Sequence, residues 1–233
     1  MTVATGTTRT TGWVAEGTAL LLGGLGGLSD GGLDAATALP GWTRRHLLAH
    51  VASNAEAIGR LVSWARTGRE TPMYASSAQR AADIEAGARR PAADLCAWVR
   101  RSADELAEAF SALPEPAWQA QVVTAQGRTV PAAELPWMRA REVCVHAVDL
   151  GTGIGFADLP DGFCAALVED IAARRSTAGD GPALTVAATG SDATWTIDGA
   201  GEPRSVALPV AELAAWLAGR PARAGLPELP PWL

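Results

Sequence analysis

Between Trp13 and Leu150, apolar residues recur at helical spacing in segments cut off by proline and glycine, and this punctuation limits the fold more than any other feature of the chain. The first segment spans residues 12–22, with Gly23, Gly26 and Gly27 loosening its end. A second starts after Pro40-Gly41, where Thr43 is suited to cap a helix that carries His46, His50, Ala57, Leu61 and Trp64 and stops at Gly68. Thr71-Pro72 breaks the chain again. Ser76 or Ser77 caps a short helix to Ala88, and Pro91 fits the first position of a long one ending near Leu113. Residues 121–130 read as a small hairpin around Ala125-Gln126-Gly127, and Pro131 opens a last helix that ends at Gly151. Four substantial helices with apolar faces have to bury those faces on one another, which makes a bundle.

The pattern changes after a glycine-rich stretch at residues 151–158. Residues 160–175 read as helix, 183–189 and 194–197 as strands joined at Gly190-Ser191-Asp192, and 205–208 as a short third strand. Asp198-Gly199 is a turn, and residues 209–218 form a helix ending at Gly219. The expected architecture is α+β: a four-helix bundle over residues 1–152 followed by a small α/β domain over residues 158–233.

Charge and composition exclude several functions. The net charge is −6, and no arginine run exceeds two, so the chain offers no basic face for nucleic acid. All 19 basic residues are arginine, so a lysine Schiff base is ruled out. Cys96, Cys144 and Cys164 are scattered and odd in number, which argues against a disulfide framework and for a reducing cytoplasm. The polar N-terminus lacks an apolar signal core, and the apolar run at residues 19–28 is too short and glycine-rich to span a bilayer.

Histidine is scarce: His46, His50 and His146 are the three in the chain. Glu142 and His146 are four apart and share one face of the last bundle helix, and Arg139 and Asp149 extend that stripe by three residues at either end. A charged stripe on a bundle helix points partly inward, where bare charge is costly and a divalent cation relieves the cost. Zinc commonly takes three ligands from histidine and carboxylate and keeps a fourth position open for chemistry. The second helix offers His50, one turn inside it beside Ala49 and Val51, or His46 in its first turn. Its place inside the helix favours His50, while spacing also allows His46 and His50 to act together as an i, i+4 pair. A surface Glu–His hydrogen bond, with Arg139 neutralising Glu142, would give the same pattern. The chain supplies no strong nucleophile of its own. Cys144 faces away from Glu142, and no Gly-x-Ser-x-Gly elbow is present.

Several segments together carry a family resemblance: Gly41-Trp42-Thr43-Arg44 with Leu48-Ala49-His50-Val51 and Asn54-Ala55, Glu70-Thr71-Pro72-Met73-Tyr74, residues 124–132 (TAQGRTVPA), and Trp137-Met138-Arg139 through Glu142 and His146 to Gly151. Ala218-Gly219-Arg220 and Pro231-Trp232-Leu233 add to them. The sequence resembles the mycothiol-dependent maleylpyruvate isomerases, within the wider superfamily of DinB-like metal-binding bundles. The likeness spans nearly the whole chain, residues 157–205 matching poorly. It implies zinc held by His50, Glu142 and His146, and mycothiol as thiol cofactor. Beside such a site Asp149 or Arg139 would orient the ligands, an intrahelical charge pair being the alternative. The likeness also implies that Arg220 is needed for activity, where the residue alone reads as a helix C-terminal arginine satisfying carbonyls. The implied reaction is the cis-to-trans isomerisation of maleylpyruvate, a dicarboxylate of aromatic degradation, to fumarylpyruvate. In it, thiolate addition lowers the double-bond order and an arginine steadies the charge formed. Arg220 is the first candidate for that arginine, and Arg80 and Arg128 are candidates for the second carboxylate. Two other readings share the metal site: a mycothiol S-transferase that releases the adduct, and a non-enzymatic metal-binding interaction protein.

Overall fold

The computed structural model describes residues 3–232, and the chain divides into two compact units, Met1–Ile154 and Gly155–Leu233. Leu233, the last residue of the resemblance, lies outside the described residues.

The first unit contains helices α1 (Val3–Leu25), α2 (Arg44–Thr67), α3 (Ser77–Ala88), α4 (Ala92–Ser111) and α5 (Leu135–Asp149), with a two-stranded hairpin, β1 (Gln121–Val123) and β2 (Thr129–Pro131), before α5. Helix α2 is the central element. Leu47, Leu48, Ile58 and Leu61 are fully buried, each contributing roughly 2 kcal/mol of apolar burial, and α2 packs on α3, α4 and α5. Thr43 and Gly68 bound it as the sequence predicts, Gly68 in the left-handed conformation at φ 71°. Ser76 caps α3 by accepting from the Gln79 amide at 3.0 Å, and Pro91 immediately precedes α4. One apolar cluster lies along the C-terminal half of α2, where Ile58, Leu61 and Val62 meet Leu106 and Phe110 of α4, Val122 and Val130 of the hairpin, and Leu135. His50 and Asn54 are buried further up the same helix. Leu47, Leu48, Val51 and Ala52 are buried around them, so the polar pair is set into an apolar surround.

Two boundaries differ from expectation. Helix α1 begins at Val3 rather than near Gly12. Its threonines stay helical by turning their hydroxyls onto the preceding turn, Thr10 onto Gly6 O at 3.1 Å and Thr11 onto Thr7 O at 3.1 Å. Helix α5 begins at Leu135 rather than Pro131. Residues Ala132–Glu134 form a 3-10 turn first, and Pro136 is the proline in the opening turn. Helix α1 packs on α5 through Gly17, where any Cβ would overlap the Cys144 and Val143 side chains.

The second unit contains α6 (Phe163–Ala178), a sheet of β3 (Pro182–Ala188), β4 (Thr194–Ile197) and β5 (Ala200–Leu208), and α7 (Val210–Leu217). The strand order is β4-β3-β5. β3 pairs antiparallel with β4 (Val186 opposite Trp195) and parallel with β5 (Val186 opposite Val206). Asp198-Gly199 turns the chain by carrying it past the start of β3 to the other side, and a Cβ on Gly199 would overlap the Gly181 carbonyl and Pro182. β5 is longer than the four residues expected because its first half, which includes Pro203, is exposed and gives no apolar pattern to read. No helix among the described residues is long and apolar enough to cross a membrane.

Candidate metal centre

Helices α2 and α5 pack against each other, which brings His50 of one to Glu142 and His146 of the other. The Glu142 carboxylate is the meeting point. Its Oε2 lies 2.8 Å from His50 Nε2 and 3.3 Å from His146 Nε2, and the two imidazole rings stand nearly perpendicular with centres 5.1 Å apart. One ligand atom from each residue falls within 4.8 Å of the others.

Buried neighbours hold each of the three in place. Asp149 Oδ2 accepts from His146 Nδ1 at 2.9 Å, and Asp149 itself is only 3% exposed. The ring proton is thereby fixed on Nδ1 and Nε2 is turned towards the cluster. Arg139 is 1% exposed and reaches across to α2, donating from Nη1 to Val51 O and to Asn54 Oδ1, both at 2.8 Å. It thus fixes the height of α5 against α2, and with it the height of Glu142 against His50. The His50 ring leans on Trp42 at 5.3 Å, and its Nδ1 accepts from Arg80 Nη2 at 3.2 Å.

The electrostatics follow from burial set against these partners. Burial pushes the Glu142 carboxyl up. The attraction of His50 and the hydrogen bonds from both imidazoles outweigh it and hold the group well below the usual carboxylate range. Burial pulls His146 down, but its bonds to Asp149 and Glu142 win and raise it to about 8. His50 goes the other way: burial dominates and lowers it. Burial also lowers Arg139 to about 10 against the pull of Glu142, so it stays charged at neutral pH.

The remaining sequence candidates separate clearly. His46 is taken up in the start of α2, where its Nδ1 lies 2.8 Å from Thr43 Oγ1 and 3.3 Å from the Thr43 amide, while Nε2 lies 3.4 Å from Glu85. Arg128 is 54% exposed and pairs with Glu134 at 3.7 Å. Arg220 belongs to the second unit and follows α7 in a complete Schellman turn. Gly219 at φ 72° donates to Trp216 O, the Arg220 amide donates to Ala215 O, and Arg220 Nη1 donates to Ala218 O at 2.6 Å. Two residues at the centre had no assigned role in the sequence: Trp42, and Tyr74, the sole tyrosine of the chain. Tyr74's uniqueness, next to Pro72-Met73, was the available signal.

Residues 14–151 match the family model of the mycothiol maleylpyruvate isomerase N-terminal domain. The chain belongs to this family. Among solved structures, a crystal structure of the mycothiol-dependent maleylpyruvate isomerase is similar at 34% identity over 97% of each chain, with a TM-score of 0.92. A histidine-to-alanine mutant of the mycothiol-dependent maleylpyruvate isomerase is similar at 34% identity over 93% of this chain and 90% of that one, with a TM-score of 0.88. No curated protein matches the chain. The family's two-part fold is therefore present here along nearly its full length, including the C-terminal unit where the sequence resemblance is thin.

Proposed function

We propose that this protein is a zinc- and mycothiol-dependent isomerase that converts maleylpyruvate to fumarylpyruvate. The observation that carries the reading is the convergence of His50, Glu142 and His146 on one point in a member of this family. Two imidazoles and one carboxylate are a donor set zinc accepts with a fourth position left open, and the buried Asp149 partner is the support a ligating imidazole needs. Zinc held by these three residues would supply the acidity that turns a thiol into a thiolate, the reversible nucleophile that rotation about a carbon–carbon double bond requires.

The chain's own residues supply the rest. His50 and, once its proton has left, His146 would present neutral nitrogens to the metal, and Glu142 would balance part of its charge. Trp42 packs against the His50 ring and so limits its rotation. Arg220, on the family resemblance, is assigned to steadying the charge that develops on the substrate's oxoacid end.

The test is turnover of maleylpyruvate by zinc-loaded protein with mycothiol, following fumarylpyruvate and free thiol together. Product formation without net thiol loss is the expected result. Stoichiometric thiol loss would make the protein an S-transferase, and no reaction would leave a metal-binding scaffold. Arg220→Ala is expected to keep its zinc and lose most of its turnover, and unchanged turnover would return Arg220 to its helix-capping role.

A further inference from the structure

Arg220 is carried on a segment with no helix or strand of its own. After α7 the chain runs irregularly from Ala218 to Trp232, and side chains of α6 and α7 hold it. Trp216 of α7, 6% exposed, donates from Nε1 to Pro227 O at 3.1 Å. Arg175, in the last turn of α6 and 7% exposed, donates twice: Nη2 to Leu217 O at 2.9 Å and Nη1 to Pro230 O at 3.1 Å. Leu217 ends α7 and Pro230 lies near the far end of the segment, so one planar guanidinium spans the base of the loop that bears Arg220. A third tie is exposed: Arg223 bonds through Nε and Nη2 to the Glu212 carboxylate, which fastens the middle of the loop back to α7.

Stability alone does not account for Arg175. Its Nε is buried with no hydrogen-bond partner among the described residues, and no carboxylate there pairs with it, Asp180 attracting it only from a distance. A buried guanidinium in that state contributes less to stability than a well-packed apolar side chain of similar size. What an apolar side chain lacks is the rigid fork of donors that fixes two acceptors against each other. Here the fork takes Leu217 O, one of the carbonyls that a helix end leaves without an intrahelical partner, and locks it to Pro230 O across the loop. Arg220 is three residues beyond Leu217, and its amide and Nη1 are bonded to Ala215 O and Ala218 O on the same side of the clamp. The place of the Arg220 guanidinium therefore follows from where the base of the loop is held.

We propose that Arg175 is a positioning residue for Arg220: it keeps the base of the 218–230 loop closed and so sets where the Arg220 guanidinium is presented. The inference rests on the isomerase reading for the use made of Arg220, whereas the clamp is a property of the loop itself.

The experiment uses the full zinc-loaded chain and one readout that needs no turnover. The chain has no lysine and Pro221 protects the bond after Arg220, so trypsin opens the loop by cutting after Arg223. Cutting after Arg204, inside β5 of the same unit, reports unfolding of the unit as a whole. Arg175→Met is expected to speed cleavage after Arg223 roughly tenfold through local opening, with cleavage after Arg204 and zinc content unchanged. Turnover of maleylpyruvate with mycothiol should show kcat lowered roughly 10- to 100-fold and KM little changed, as misplacement of a group that acts on the transition state requires. In an Arg220→Ala background the same substitution should lower kcat by less than about twofold, because the residue it positions is gone. Arg175→Lys keeps one of the two bonds and should recover part of both effects, and it carries the same comparison if Arg175→Met does not fold. Unchanged cleavage after Arg223 would overturn the proposal. Equal acceleration after Arg204 would overturn it as well, since Arg175 would then be a general support of the unit, and so would additive losses in the double variant. A wild type that does not isomerise maleylpyruvate would refute the isomerase reading, and the clamp would then stand or fall on cleavage after Arg223.

Discussion

Asp149 Oδ2 lies 2.9 Å from His146 Nδ1, three residues along the same helix, and this one contact sets which nitrogen of His146 faces Glu142. Asp149→Asn keeps the shape but replaces an anion with an amide. Loss of the orienting charge is expected to weaken zinc binding by roughly 10- to 100-fold, measured by competition with a chromophoric chelator. An unchanged zinc affinity would mean that helix geometry alone aims the ring.

Zinc uptake should depend on pH through His146. Its proton, held to about 8 by Asp149 and Glu142, has to leave before Nε2 binds metal, whereas His50 is already neutral. Apparent zinc affinity is therefore expected to rise about tenfold per pH unit up to about pH 8 and then level off. The metal-free protein should show the opposite trend. A histidine raised above its unfolded value of about 6.5 stabilises the fold fully below that pH, and about 2 kcal/mol is lost as pH rises through 8. Chelator titrations and urea midpoints from pH 6 to 9 measure both slopes.

Arg139→Met removes a buried cation from between α2 and α5. Val51 O and Asn54 Oδ1 lose their donor and Glu142 loses a compensating charge, so the metal-free variant should be destabilised by about 3–5 kcal/mol in urea unfolding. Zinc supplies positive charge to the same carboxylate. The loss should therefore be visibly smaller when zinc is present in excess.

The two α2 histidines should separate cleanly. His46→Ala removes the partner of Thr43 at the start of the helix and is expected to cost about 1 kcal/mol with zinc binding intact. His50→Ala should abolish zinc retention. A His46→Ala protein that lost its metal would put the wrong histidine in the site.

The sequence disclosed these features unevenly, for physical reasons. Caps and breakers act locally, so Thr43, Gly68, Ser76 and Pro91 marked their helix ends with no knowledge of the fold. The Glu142–His146 pair was equally visible, because a helical repeat fixes it. The choice between His46 and His50 depends on how two helices pack, and spacing left it open. Arg139 could be read as a partner of Glu142 or as a residue orienting the ligands, but its bond to α2 could not, since a backbone carbonyl carries no sequence signature. The first half of β5 escaped for a related reason: exposed on an edge and interrupted by Pro203, it is defined by parallel pairing with β3 alone. Tyr74 was visible as a letter of a motif and Arg80 as a candidate for a carboxylate, and their approach to one another is tertiary.

The crossing at Gly199 gives the second unit one local and one non-local strand pairing. β3 and β4 are joined by a short exposed turn and can zip together locally, whereas β5 reaches its place only after the chain has been led around the start of β3. Lengthening the 190–192 turn should leave that route open. Any side chain at position 199 would overlap the Gly181 carbonyl and Pro182, so the same two-residue connection that completes the sheet is also the one place in it that admits no substitution for glycine without a shift of the backbone.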